Sequence, residues 1–189
     1  MFDSIKSKSG ANRSLQCVTF RDLSAINFCS LDPGDAALVL EMRNHEDVRK
    51  WMFHSDPISE VEHHTFLNQL ASRERDRYWM VREIENQRVL GVIYLNAIDR
   101  TQAVAEFGIY GNPFDRQAGK GLALSSMLLH IAFENLQLAK VRLQVFKENA
   151  RAIRLYEKLG FVVSAEEASL LTMKLESAQF IDLYAGIAR

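Results

Sequence analysis

The chain has 189 residues, of which 48% are hydrophobic and 25% are charged, and its formal net charge at pH 7 is −1. This balance suits one globular domain with a substantial core, and it gives no electrostatic case for a nucleic acid or an anionic membrane as partner. The two cysteines, Cys17 and Cys29, make neither a disulfide framework nor a metal-binding spacing, so we expect a reducing, cytoplasmic setting.

The first residues predict a tail rather than a packed element. Residues 1–14 are rich in Ser, Lys, Gly and Asn, so we expect a flexible segment followed by a domain over residues 15–189. The N-terminus lacks the apolar segment of a signal peptide, and no apolar run reaches the length of a membrane span. A first strand is predicted at 15–20, followed at 25–31 by a short apolar segment whose type the pattern leaves undefined.

Two helices are predicted before the main sheet. Asp32 followed by Pro33 is the usual start of a helix, with aspartate as N-cap and proline at the first helical position. The second helix follows Ser59, which forms a capping-box pattern with Glu62. Alternating patterns then predict three antiparallel strands at 78–84, 89–98 and 103–110.

The stretch after the third strand predicts a phosphate-binding turn at a helix N-terminus. Apolar residues at helical spacing follow its two glycines, and the first N–H groups of a helix attract anions. It lacks both the glycine spacing of the Walker loop and the third glycine of the dinucleotide fingerprint. An ordinary strand-to-helix turn remains the alternative. The stretch comprises Arg116, Gln117, Ala118, Gly119, Lys120, Gly121, Leu122 and Ala123.

A second segment predicts a strand at 140–146 and a short helix that Asn149 opens and Gly160 closes. Asn149 and Tyr156 lie seven positions apart, about 10 Å along a helix, and so share a face that one ligand could contact. A capping asparagine and a half-buried tyrosine without further role are the alternative. Closing strands are predicted at 161–165 and 180–187, joined by a segment that we leave unassigned.

Together, the patterns R-x-x-G-x-G/A from Arg116 and N-x-x-A-x-x-x-Y-E-K-x-G-F from Asn149 resemble the GCN5-related N-acetyltransferase (GNAT) superfamily. The resemblance implies a single α/β (α+β) domain whose mixed, mostly antiparallel sheet is flanked by helices and splayed at the acetyl-CoA site. It implies acetyl-CoA as cosubstrate, bound by the eight-residue turn and by further residues of strand and helix. These further residues are Phe107, Gly108, Ile109, Asn149 and Ala152.

Acetyl transfer to an amine needs a neutral nucleophile, a polarised thioester and a proton for the departing thiolate. On the third strand, Gly108 would leave room for the thioester, and the N–H of Phe107 could polarise its carbonyl. Glu106 is the candidate general base, although a rim glutamate paired with an arginine is equally consistent. The resemblance implies Tyr156 as general acid. Because His63 and the adjacent His64 point about 100° apart on a helix, we predict no metal.

A narrower resemblance bears on the acceptor. The run R-N-H-x-x-x-x-x-W-M from Arg43 and the residues around Tyr110 resemble the N-acetyltransferases of pseudaminic acid biosynthesis. These acetylate the 4-amino group of a UDP-linked 4-amino-4,6-dideoxy sugar, a step towards the acid that decorates flagellin. The resemblance implies a small-molecule amino-sugar nucleotide as acceptor, with substrate-binding roles for Arg43, Trp51, His63 and Tyr110. Arg43 could hold the diphosphate by bidentate contact. His63 would also be an alternative base.

Other interpretations stay open at this point. The acceptor could be a protein N-terminus or an antibiotic amine, although no acidic run near Tyr110 favours a peptide. The chain could also keep a coenzyme A site as a non-catalytic module, against which the presence of both Glu106 and Tyr156 argues. A homodimer is left open by the sequence.

Overall fold

The structure, a computed structural model, describes residues 15–180. The expected tail at 1–14 lies outside the described residues, as do residues 181–187 of the last predicted strand. Eight strands of the described chain form one sheet in the order β1-β2-β3-β4-β5-β6-β8-β7. They are β1 Cys17–Phe20, β2 Leu23–Asn27, β3 Arg77–Glu83, β4 Val89–Asp99, β5 Val104–Gly111, β6 Lys140–Phe146, β7 Val162–Glu166 and β8 Leu170–Glu176.

Strands β5 and β6 form the one parallel pair of this sheet, and their pairing is short. It runs from Val104 opposite Lys140 to Glu106 opposite Arg142, and it includes no later residue of either strand. All other neighbouring strands described are antiparallel. The two central strands therefore part after Glu106, and the sheet is mixed and splayed as predicted.

The helices follow local signals in the sequence. Asp32 caps α1 (Pro33–Asn44) by accepting a hydrogen bond from the Asp35 N–H at 2.8 Å. Ser59 and Glu62 form the predicted capping box of α3 (Glu60–Leu70). The remaining helices are α2 (Glu46–Arg49), α4 (Lys120–His130), which continues as a π-helical turn over Ile131–Asn135, and α5 (Ala150–Lys158). No helix within residues 15–180 is long and apolar enough to cross a membrane.

The core lies on both faces of the sheet. On one face, α4 packs through Leu124 and Met127 into the same buried cluster as Phe107 and Tyr156. On the other face, Met42 of α1 joins a second, smaller buried cluster that also includes residues of α3, β3 and β4. The sheet therefore has a buried cluster on each face.

The C-terminal part differs from the sequence expectation. The segment that we left unassigned contains β8, which lies between β6 and β7. Its alternation is weak, since only Met173 and Leu175 are fully buried. Near the N-terminus, the undefined segment at 25–31 is the end of β2 followed by a 3₁₀ turn, Phe28–Ser30.

Candidate active site

A cleft of about 1160 Å³ opens where β5 and β6 part. It brings together most of the residues that the sequence predicted as a site, including both proposed catalytic residues, Glu106 and Tyr156. Ala118, Ala123, Arg43 and His63 do not line it. The predicted residues that do are Trp51, Glu106, Phe107, Gly108, Ile109, Tyr110, Arg116, Gln117, Gly119, Lys120, Gly121, Leu122, Asn149, Ala152 and Tyr156.

The predicted phosphate-binding turn forms the N-terminus of α4. Gly119 occupies its N-cap position with φ 90°, a left-handed conformation that favours glycine. The Leu122 and Ala123 N–H groups both donate to the Gly119 carbonyl, at 3.0 and 3.2 Å. The preceding N–H groups of the turn therefore lie ahead of the bonded helix, where an anion is stabilised.

Both sequence motifs meet at Gly121. A Cβ atom there would lie 2.9 Å from Cδ2 of Leu155 on α5, so the glycine lets the start of α4 approach the second motif. One ligand in the cleft can consequently contact both helices.

A hydrogen bond and an ion pair hold the Lys120 side chain at this turn. Lys120 donates to the Asn112 carbonyl at 2.7 Å and lies 3.7 Å from the Asp115 carboxylate. Burial lowers the pKa of Lys120, and Asp115 partly opposes that shift. Arg116 and Arg151 also line the cleft and form no ion pair with any residue between 15 and 180. These free cations suit the phosphates of coenzyme A.

Arg151 was not predicted as a site residue from the sequence, although it lies in the first turn of the helix that Asn149 caps. Lys158, at the other end of that helix, also lines the cleft and was missed. A search for cations on the helix that follows a cofactor motif would have found both.

Asn149 and Tyr156 occupy the positions that their spacing predicts. The Asn149 side chain caps α5 by accepting a hydrogen bond from the Ala152 N–H at 3.2 Å. Tyr156 is 8% exposed, and its ring contacts Phe107 edge-on, with centroids 6.0 Å apart. Burial, with a smaller contribution from Tyr94, raises the pKa of Tyr156. The phenol is therefore protonated at neutral pH and can donate a hydrogen bond into the cleft.

Glu106 lies at the base of the cleft and is the last residue of β5 that pairs with β6. Its carboxylate lies 3.6 Å from the Arg142 guanidinium, and both side chains are about half exposed. This ion pair is the alternative to a general base that the sequence analysis left open, a rim glutamate paired with an arginine. An exposed pair of this kind adds little stability, so the carboxylate remains available to a ligand.

Tyr94 fills the space beside Gly108, so the prediction that this glycine leaves room for the thioester is corrected. A Cβ atom at Gly108 would overlap the ring end of Tyr94 on β4, so this glycine makes room for a tyrosine rather than for the thioester on that face. Tyr94 lines the cleft and was not predicted as a site residue. Strand register alone brings it over Gly108, and register is not visible in one strand's sequence.

Arg43 belongs to a loop clamp rather than to the cleft lining. Its Nη2 donates to the His54 carbonyl at 2.7 Å, and Arg49 donates to the Asn44 and Ser55 carbonyls, both at 2.8 Å. Asn44 exchanges two hydrogen bonds with the backbone of Ile58, both 2.8 Å long. These bonds fasten the segment 50–58, which carries Trp51 to the cleft. The predicted contact of Arg43 with a diphosphate is therefore not supported.

His63 is buried between α1 and α3. Its Nε2 lies 3.0 Å from the Ala36 carbonyl, and it does not line the cleft, so its predicted roles as substrate ligand and alternative base are not supported.

Trp51 is 38% exposed in the cleft wall, whereas Tyr110 contributes to the wall but packs into the smaller buried cluster. Among residues 15–180, no three His, Cys, Asp or Glu side chains come together as a metal site.

A mixed sheet that parts beside a helix N-terminus, with cations and a buried tyrosine in the gap, defines an acyltransferase that uses coenzyme A. Residues 26–162, most of the chain, match the acetyltransferase (GNAT) domain family. The chain belongs to the GNAT acetyltransferases, and acetyl-CoA is its acetyl donor.

Two groups of relatives are similar to the chain. Acetyltransferase PseH of Campylobacter jejuni is 30% identical over 141 residues, which cover 75% of this chain and 85% of the relative. Spermidine N(1)-acetyltransferase of Vibrio cholerae is 27% identical over 139 residues, or 74% and 80% of the two chains.

Solved structures show the same fold. The crystal structure of C. jejuni PseH with acetyl coenzyme A has a TM-score of 0.67 at 25% identity and covers 82% of this chain and 98% of that one. The V. cholerae spermidine N-acetyltransferase with CoA and spermine has a TM-score of 0.76 at 22% identity, covering 85% and 98%.

Proposed function

We propose that the enzyme acetylates the 4-amino group of a UDP-linked 4-amino-4,6-dideoxy sugar by direct transfer from acetyl-CoA. This is the acceptor implied by the sequence resemblance, and it places the enzyme in pseudaminic acid biosynthesis and flagellin glycosylation. The similarity to PseH supports this acceptor, and the similarity to spermidine acetyltransferases supports a polyamine instead. The charges of the cleft support the nucleotide sugar.

One observation carries the proposal: every acidic side chain that lines the described cleft is already paired with a cation. Asp47 lies 2.6 Å from Lys50, Glu106 lies 3.6 Å from Arg142, and Asp115 lies 3.3 Å from Arg88. Because cations balance these carboxylates, the cleft has no net negative charge to attract a polyamine, which carries several positive charges. A nucleotide sugar carries a diphosphate, which the excess of cations would attract. The six cations lining the cleft are Lys50, Arg116, Lys120, Arg142, Arg151 and Lys158.

The wall opposite β5 suits a sugar or a uracil ring. Trp51 is 38% exposed and Phe53 is 60% exposed, and both line the cleft. Phe53 also contacts Phe146 of β6, with ring centroids 5.6 Å apart, so the segment 50–58 reaches the far side of the cleft. Exposed aromatic rings held in place can stack on planar or apolar faces of an acceptor at little entropic cost.

The transfer is assigned to residues of this chain. The N–H groups at the start of α4, together with Arg116 and Arg151, would hold the phosphates of acetyl-CoA. Glu106 would accept the proton of the amine, directly or through water, and Tyr156 would protonate the departing thiolate. Acetyl-CoA and amine would thus yield the amide and free coenzyme A, with one proton leaving nitrogen and one reaching sulfur.

The test measures thiol release with acetyl-CoA and four amines: the UDP-linked 4-amino sugar, spermidine, a peptide with a free N-terminus and an aminoglycoside. We expect the nucleotide sugar to have the highest kcat/KM and UDP to compete with it but not with acetyl-CoA. Trp51→Ala should raise the KM for the sugar and leave the KM for acetyl-CoA unchanged. Preference for spermidine, with no inhibition by UDP, would assign the enzyme to the polyamine group.

A further inference from the structure

Tyr94 crosses β5 on its way to the cleft. It is the cross-strand partner of Gly108, and a Cβ atom on that glycine would overlap Cζ, Cε2 and Oη of the tyrosine. Neighbouring strands lie about 4.8 Å apart, so a ring that starts on β4 and reaches β5 brings its hydroxyl over Gly108, beside the gap where β6 has parted. Tyr94 accordingly lines the cleft together with Glu106 and Tyr156.

The ring is held in this position by other aromatic side chains. Tyr78 stacks on Tyr94 with centroids 5.1 Å apart and an interplanar angle of 17°. Phe66 of α3 contacts Tyr78 edge-on at 5.1 Å, and Phe28 contacts it at 5.5 Å. A ring fixed on one side by such a stack has little freedom to leave the glycine, so its hydroxyl is preorganised.

Tyr94 and Tyr156 approach the cleft from opposite faces of the sheet. Tyr156 packs with Phe107 in the larger buried cluster, whereas Tyr94 packs against the smaller one. Phe107 and Gly108 are successive residues of a strand, whose side chains point to opposite faces. If the thiolate leaves towards Tyr156, the amine arrives on the face of Tyr94.

The hydroxyl of Tyr94 is neutral and free. Burial, with smaller contributions from Tyr78 and Glu106, raises the pKa of Tyr94 to about 12. No residue between 15 and 180 forms a hydrogen bond with this hydroxyl. A neutral phenol can both accept and donate a hydrogen bond, and an unused one in a cleft is available to a ligand.

We propose that Tyr94 is a catalytic residue on the acceptor side. Its hydroxyl oxygen accepts a hydrogen bond from an N–H of the neutral amine, and this bond aims the lone pair of the nitrogen at the thioester carbon. The lone pair forms the N–C bond, and the electron pair of the C–S bond leaves with sulfur, which takes the proton of Tyr156. The extra proton on nitrogen passes to water or to Glu106, and Tyr156 is reprotonated from water. Tyr94 keeps its own proton throughout.

Because Tyr94 contacts only the nitrogen, its role is independent of which amine the enzyme prefers. Hydroxylamine, a compact nucleophile that is neutral near pH 7, therefore serves as the probe at saturating acetyl-CoA. Tyr94→Phe should lower kcat/KM for hydroxylamine about tenfold, as expected for one hydrogen bond, with no change in the KM for acetyl-CoA. Thr65→Val, which removes an exposed hydroxyl from α3 outside the cleft, is the control and should behave like the wild type.

A second acyl donor separates the two tyrosines. An acetyl thioester of a more acidic thiol needs less help in leaving, so it should restore much of the rate lost in Tyr156→Phe and none of that lost in Tyr94→Phe. An unchanged kcat/KM in a folded Tyr94→Phe enzyme would overturn the assignment. So would a loss that the acidic thiol also restores, or one that appears as weaker acetyl-CoA binding.

Discussion

The carboxylate of Glu106 and the guanidinium of Arg142 lie 3.6 Å apart across the last residue pair that β5 and β6 share. One residue further on, the strands separate. The ion pair therefore marks the base of the cleft, and Glu106, the proposed general base, lines the cleft beside an arginine.

Glu106→Gln should lower turnover by about 10², because an amide cannot accept the proton of the amine. The measurement is kcat for the acceptor at a pH where its amine is neutral. Arg142→Gln is the matched control, since it removes the ion pair and keeps the carboxylate, and it should retain most of the turnover. Unaltered turnover in Glu106→Gln would assign proton removal to water, since His63 is buried away from the cleft.

Tyr156→Phe should lower turnover by about 10² to 10⁴, the usual contribution of a positioned acid, with little change in the KM for acetyl-CoA. The variant keeps the ring that packs against Phe107 and Phe161, so the melting temperature should stay close to that of the wild type. Steady-state kinetics and thermal unfolding are measured on the same preparation. Near-normal turnover, with thiol release shown to be rate-limiting, would leave Tyr156 with a packing role only.

Substitutions in the turn before α4 should affect the coenzyme far more than the acceptor. Gly121→Val places a side chain against Leu155, and Gly119→Ala imposes a cost of about 1–2 kcal/mol on a left-handed residue. Both should raise the KM for acetyl-CoA severalfold or more and leave the acceptor KM nearly unchanged. Gly34→Ala, in the exposed first turn of α1, is the control. Unchanged coenzyme affinity in a folded Gly121→Val enzyme would contradict the assignment of this turn.

Asn44→Ala should loosen the segment 50–58, because it removes both hydrogen bonds to Ile58. We expect a stability loss of about 1–2 kcal/mol and a severalfold higher acceptor KM, with the acetyl-CoA KM unchanged. Urea unfolding and kinetics measure the two effects. Asn86→Ala, which removes two hydrogen bonds in an exposed turn, to the Glu83 carboxylate and from the Arg88 N–H, should leave both KM values unchanged. A change in acetyl-CoA affinity alone would show that the segment does not position the acceptor.

His63 should make folding stability sensitive to acid. Burial lowers the pKa of His63 below its ordinary value of 6.5, so the unfolded chain binds this proton first as pH falls. The contribution is fully present above pH 6.5 and is lost as pH falls through the window between the unfolded and folded pKa values. Thermal unfolding at pH 7.5 and 5.5 should show a smaller difference for His63→Gln, whose amide can still donate to the Ala36 carbonyl. An equal difference in both proteins would assign the acid sensitivity to other groups.

The parts of the site that could be predicted from the sequence are those encoded by local backbone signals. The glycines of the turn indicate a helix that begins after a residue in the left-handed conformation, and Asn149 indicates a helix N-cap two turns before Tyr156. These features depend on residues close together in the chain, so one sequence contains enough information to place them.

What the sequence could not predict depends on contacts between distant segments. Tyr94 reaches the cleft only because the register of β4 and β5 places it opposite Gly108. Arg43 was predicted to bind a diphosphate, but its guanidinium donates a hydrogen bond to the His54 carbonyl and so helps to hold the segment 50–58. The strand Leu170–Glu176 went unassigned because its buried residues are few and charged residues flank them.

From Phe107 to Gly111, β5 has a neighbouring strand on one side and none of the described strands on the other. The pantetheine arm of acetyl-CoA, which carries amide groups of its own, could take the place of the missing strand, so bound coenzyme would complete the sheet. Folding and coenzyme binding are then linked quantities: a hundredfold excess of acetyl-CoA over its Kd would add about 2.7 kcal/mol to the free energy of unfolding. The resistance of this enzyme to heat and proteases should consequently rise and fall with the acetyl-CoA concentration around it.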